Sequence, residues 1–118
     1  MEAHEGCRVE PIEKPFQEAS LQGAAVAYLQ VTGMGCPRCA TRVRNGLLAN
    51  EGVKLADVFL ERGVAAVAFD PASVGVEELR ELVKAAGDDG RHRYRADLLA
   101  VKTAAEALVI ESGRRIWR

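Results

Sequence analysis

Residues 24–50 read AAVAYLQVTGMGCPRCATRVRNGLLAN, and the fold is decided inside that stretch. Its first part alternates. Ala27, Leu29 and Val31 share one side and Tyr28, Gln30 and Thr32 the other, the two-residue period of a strand. Gly33 and Gly35 break the pattern into a loop. Then Ala40, Val43 and Leu47 recur at the spacing of one helical stripe. Pro37 suits the first helical turn, where its missing N–H costs nothing, and Gly52 suits the turn beyond the helix end. The stretch is therefore a strand, a loop and a helix. Cys36 and Cys39 sit at the loop–helix junction.

The rest of the chain extends this unit. In VKLADVFLERGVAAVAFDP (53–71), two runs rich in β-branched and aromatic residues flank Glu61-Arg62-Gly63, which reads as a hairpin closed off by Asp70 and Pro71. Val76, Leu79, Val83 and Ala86 form a second helical stripe, stopped by Gly87. RHRYRADLLAV (91–101) reads as a last strand with Tyr94, Ala96 and Leu98 on one side. The order is β-α-β-β-α-β, a split βαβ arrangement of class α+β: an antiparallel sheet with both helices on one face. Residues 1–23 hold Pro11, Pro15 and no apolar period and are expected to be a mobile arm. Residues 24–101 form the domain and 102–118 a C-terminal extension. In that extension Ala104, Ala105 and Leu108 suit a short helix, and Leu108-Val109-Ile110 suit a strand added to the sheet; helix is the expectation.

Composition narrows the function. At 118 residues and 48% apolar content the chain supports one packed domain. A net charge of −1 argues against a nucleic-acid coat. The charge is uneven: residues 1–23 carry net −3 and residues 88–118 net +2. No apolar run is long enough to span a membrane, and the N-terminus lacks the basic-then-apolar pattern of a secretory signal. A cytoplasmic location is expected. Thiols stay reduced there, and the odd count of three cysteines also speaks against a disulfide framework.

Two thiols at a helix start have a definite chemistry. The N–H groups and positive end of the helix favour thiolate over thiol. Thiolates are soft ligands that select Cu(I), Zn(II) and similar ions. A structural zinc site closes with four ligands, and here only Cys7, His4 and His92 are on offer, at unhelpful spacings. An open two-thiolate site suits an ion that is carried and passed on. The alternative for Cys-x-x-Cys at a helix start is a dithiol redox centre, but the element order and the Gly-Met before the pair fit that poorly.

Over residues 26–99 the chain resembles the heavy-metal-associated domain family: GMGCPRC (33–39), then Ala40, Val43, Leu47, Gly52-Val53, Asp70-Pro71, Leu79 and Ala86-Gly87. That family includes copper chaperones, periplasmic mercury-binding proteins and the N-terminal modules of metal-pumping ATPases. The resemblance implies a ferredoxin-like βαββαβ sandwich and metal carriage without enzymatic activity. It implies metal ligation by Cys36 and Cys39 and a loop-packing role for Met34. Cu(I) is the expected ion, with Zn(II), Cd(II) or Hg(II) carriage or sensing as the alternative. The implied partner is a metal-transporting ATPase or another metal-accepting domain, and the implied state is a monomer or a metal-bridged dimer. Residues 1–23 and 102–118 lie outside the family pattern.

One departure stands out. After the second helix, family members place an aromatic residue, Lys or His near the metal, whereas this chain has Asp88 and Asp89, with His92 a few residues on. Carboxylates there favour a divalent ion over Cu(I). His4 and Cys7 on the N-terminal arm are candidates for a third ligand, although an exposed thiol on an unpatterned segment is the plainer reading. Trp117 reads as a contact between tail and sheet. Arg38, Arg42 and Arg44 give the first helix a cationic character, either a solvated face or a surface that steers an acidic partner.

Overall fold

A computed structural model describes residues 23–35, 37–87, 94–111 and 114–117. The elements run β1 (Ala25–Thr32), α1 (Pro37–Leu48), β2 (Val53–Phe59), β3 (Val64–Phe69), α2 (Val76–Ala86) and β4 (Arg95–Thr103). A tail follows with α3 (Ala104–Ala107), β5 (Leu108–Glu111) and β6 (Arg114–Trp117). The main sheet has the order β2-β3-β1-β4 and every pairing in it is antiparallel. This is the expected βαββαβ sandwich, with a two-stranded β5-β6 hairpin added after it.

Alternation along the strands gives the sheet two faces, and both are covered. Ala27, Leu29 and Val31 of β1, with Val67 and Phe69 of β3, face the helices and pack with Val43, Leu47, Leu79 and Val83. On the other face Val26, Leu55 and Ala68 form a second core with Ala104, Ala107 and Leu108 of the tail, and Tyr28 and Trp117 pack against it. A register shift in β2 between Val53 and Leu55 makes this possible. It lets Val53 face the helices and Leu55 the tail, where strict alternation would put both on one side.

The tail is pinned by one carboxylate. Asp57 in β2 accepts from Arg115 Nε and Nη2 at 2.8 and 2.7 Å and from Trp117 Nε1 at 2.6 Å. The bond to Asp57 holds the Arg115 guanidinium charged beyond the ordinary arginine range, against the opposing effect of burial. The expected contact between Trp117 and the sheet is thus present, through a partner in the first hairpin. The tail also combines both expected forms: Thr103 caps the 4-residue α3 in a capping box with Glu106, and the chain turns to strand at Leu108. That strand pairs with β6 rather than with the main sheet.

In the first hairpin Gly63 has φ +66°, a left-handed conformation that suits glycine, and its carbonyl accepts from Val31 N–H at 2.7 Å. One expectation about individual side chains is corrected, and another holds with an addition. The first-helix stripe starts at Cys39 rather than Ala40, since Cys39 is buried and Ala40 only half-buried. Leu98 shares the helix-side face with Ala96, as expected, but it is 45% exposed. Helix α2 lies over the first part of β4, where Arg80 Nε donates to the Ala96 carbonyl at 2.8 Å, and gives Leu98 no such cover.

Candidate metal centre

The loop between β1 and α1 is positioned from three sides. Thr32 ends the central strand β1, fixed between β3 and β4. Gly33, at φ +99°, turns the chain out of the sheet. Met34 is half-buried and packs against the helix-side core, consistent with the packing role implied for it. Gly35 is exposed. Helix α1 then opens on Pro37, with no acidic residue in its first turn, and Thr41 Oγ1 donates to the Pro37 carbonyl at 3.2 Å.

Cys39 is the third residue of α1 and only 2% exposed, within the cluster that also holds Leu29, Val43 and Tyr94. Cys39 therefore does not stand wholly in the open, as an exposed two-thiolate site would have it. The physical reason is helical geometry: Cys39, Val43 and Leu47 are spaced four apart and lie on one face, so the side that packs on the sheet includes the thiol. Cys36 lies outside the described residues, as do Cys7, His4, Asp88, Asp89 and His92.

Helix α2 ends on Gly87, whose N–H donates to the Lys84 carbonyl at 3.2 Å. A Cβ at Gly87 would stand 2.6 Å from Tyr94 Cδ2, so glycine is what lets the buried Tyr94 ring close over the helix end. The helix-side core thus includes both Cys39 and Tyr94, and Met34 packs against it. The arginines of α1 do not form a uniform rim. Arg38 is exposed, whereas Arg42 and Arg44 are half-buried. Beyond this region, the contact of Trp117 with the sheet was expected, but its partner Asp57 and the Asp57–Arg115 pair were not; their one sequence signal was an acid in a strand that is apolar but for Lys54.

With this geometry in hand, the comparisons are decisive about ancestry. The model of the heavy-metal-associated domain matches residues 29–89, from the middle of β1 to just past α2. The chain belongs to the heavy-metal-associated domain family. Among relatives, it is 40% identical over 63 residues to the cation-transporting ATPase HMA5 of Oryza sativa subsp. japonica, a match covering 53% of this chain and 6% of that protein. It is also 40% identical over 62 residues to the periplasmic component of a mercuric transport protein of Alcaligenes sp, covering 52% of this chain and 65% of that one. The chain thus spans a small fraction of the ATPase it matches and just under two thirds of the mercuric transport component.

Solved structures agree on the fold. A copper binding domain from HMA7, a P-type ATPase, superposes with a TM-score of 0.59 at 34% identity, over 65% of this chain and 96% of that one. The CopZ metallochaperone gives 0.54 at 30% identity, over 61% of this chain and 98% of that one. Oxidised MerP from Ralstonia metallidurans CH34 gives 0.53 at 29%, over 65% of this chain and all of MerP. Nearly the whole of each neighbour is accounted for and about a third of this heavy-metal-associated protein is left over. No described helix is long and apolar enough to cross a membrane.

Proposed function

We propose that this protein binds one soft metal ion through Cys36 and Cys39 and hands it to another protein by ligand exchange. The observation that carries the reading is positional. The two cysteines fall where β1 turns into α1, inside the span matched by the family model. Two thiolates at that point leave an ion accessible from one side, so an incoming thiol can bind before the first ligands let go. The buried position of Cys39 supports a fixed, directional ligand, since its backbone is held by α1 and its side chain by the core.

Cu(I) is the ion we favour. Relatives and neighbours named for copper include the HMA7 domain and a copper-exporting P-type ATPase of Bacillus subtilis, 37% identical over 59 residues. A second reading, Hg(II) or another divalent soft ion, has its own support: the mercuric transport components are as similar as the ATPases, at up to 40% identity. Asp88 and Asp89 in the sequence after α2 point the same way. In this proposal the acceptor is a metal-transporting ATPase or a comparable domain, the protein catalyses no reaction, and a reducing cytoplasm keeps both thiols available.

The test is a metal panel. Reduced protein is titrated with Cu(I), Zn(II) and Hg(II), then mixed with a heavy-metal-associated domain of a copper ATPase. The copper reading expects one tightly held Cu(I) per chain that moves to the acceptor within mixing time. Tighter discrimination for Zn(II) or Hg(II) over Cu(I) selects the second reading. Insulin-reduction activity without metal binding overturns both.

A further inference from the structure

We propose that this chain forms a metal-independent dimer through the outer edge of β4, with a second copy of itself as the partner. The main sheet has two edges, β2 and β4. They are treated differently. The β2 edge carries Lys54 and Asp57, and Asp57 is tied down by Arg115 and Trp117 of the tail. On β4, Arg80 covers the Ala96 carbonyl, and beyond it no described strand lies alongside. β4 carries charge too, at Arg95, Asp97 and Lys102, but its middle is apolar. Of the large apolar residues that the fold leaves exposed, three lie on this strand: Leu98 at 45%, Leu99 at 54% and Val101 at 47%. Natural edges are usually blunted with charge where they would otherwise recruit another strand.

The strand is also self-complementary, and the reason is its bulge. In the register with β1, Leu98 pairs with Leu29 and Val101 with Ala27, both on the helix side. Asp97 pairs with Gln30 and Lys102 with Val26, both on the opposite side. A regular strand would put residues three or five apart on opposite faces. The register shift at Leu99 brings each of these pairs onto a common face. A second β4 laid antiparallel about a two-fold axis between Leu99 and Ala100 therefore sets Leu98 against Val101 on one face. On the other it brings Lys102 toward Asp97, which within its own chain already lies 3.4 Å from Arg95 and 3.7 Å from Arg80. Each contact occurs twice, as an isologous interface requires. Strand-to-strand hydrogen bonds supply affinity, and the charge pairs fix the register. A single strand pair is a small interface, so the dimer is weak, in the micromolar to millimolar range of Kd.

The experiment is sedimentation of the full chain, reduced and metal-free, from about 1 μM to about 1 mM, a range that brackets such affinities. Alongside it, amide exchange of β4 is measured at the two extremes. The expected result is a monomer–dimer equilibrium indifferent to chelator, with the outward-pointing β4 amides, those not bonded to β1, protected at high concentration only. Leu99→Lys with Val101→Lys changes exposed side chains and should raise Kd at least tenfold while circular dichroism is unaltered. Lys102→Glu should weaken the dimer, and adding Asp97→Lys should restore it. A monomer at every concentration overturns the proposal. So does a dimer that chelator dissolves, which would be bridged by metal at the cysteines. Protection of the outward-pointing β4 amides in a monomer also overturns it, since the edge is then covered by this chain itself.

Discussion

Cys39 carries two demands at once, and its variants should separate them. A thiol that is 2% exposed in the core is a packing group as well as a candidate ligand. Replacing it with serine buries a hydroxyl in an apolar cluster, at a cost of about 1–3 kcal/mol. Cys39→Ser should therefore unfold at lower denaturant than wild type even without metal, and an unchanged midpoint would contradict its packing role. Gly87 is the other single-residue constraint. Gly87→Ala places a methyl group 2.6 Å from the Tyr94 ring, and overpacking of that kind costs about 1–3 kcal/mol, readable as a lower melting temperature. Asp70 makes a smaller, pH-dependent contribution. The Ala72 N–H and the Ser73 hydroxyl bond its carboxylate at 3.0 Å each and hold its pKa below the ordinary 3.8. A depressed carboxyl pKa stabilises the fold above the unfolded value and ceases to do so as pH falls through the folded one. The stability gap between wild type and Asp70→Asn should thus be present at pH 6 and shrink below pH 4; a gap that widens in acid would contradict the assignment.

At the scale of elements, the tail is where sequence reasoning reached least far. The six elements of the sandwich were legible because each carries a full period: Ala27-Leu29-Val31 for a strand, Val76-Leu79-Val83 for a helix. Their turns were legible too, in Gly63 and Gly87. Leu98 was placed on the right side, but its exposure was not legible, because periodicity reports which side a residue faces and not how far the opposing helix extends. Cys39 was misjudged because a chemical motif drew attention away from the helical face it shares with Val43. The tail hairpin was illegible for a different reason: its stability comes from Asp57, distant in sequence, and no local pattern records such a pairing. Both side chains of the Asp57–Arg115 pair are about one quarter exposed, so solvent screens it in part. Bidentate geometry and the Trp117 bond still make it worth about 1–2 kcal/mol. Asp57→Ala should lower stability by about that amount and shift the fluorescence of Trp117, the sole tryptophan, to longer wavelength. An unshifted spectrum would mean that the tail stays docked without its carboxylate.

For the whole molecule, one sheet is covered on both faces by different parts of the chain. The helices cover the face that leads to the Cys-x-x-Cys loop, and α3 with the β5-β6 hairpin covers the other. Ending the chain at Thr103 would expose Val26, Leu55 and Ala68, and loss of such burial costs about 1.5–3 kcal/mol for each large side chain. That truncation should bind apolar dyes and melt well below the full chain. If the Cys-x-x-Cys loop binds metal as proposed, the truncated chain should still bind it as long as the sandwich holds. The claim at the centre of the account is that Cys36 and Cys39 together hold one soft ion, and competition titration of reduced protein against a chromophoric Cu(I) chelator tests it most directly. One Cu(I) per chain in the wild type, with tight binding lost in both Cys36→Ser and Cys39→Ser and retained in Cys7→Ser, is the result the account predicts. Wild-type affinity in either of the first two variants would contradict it.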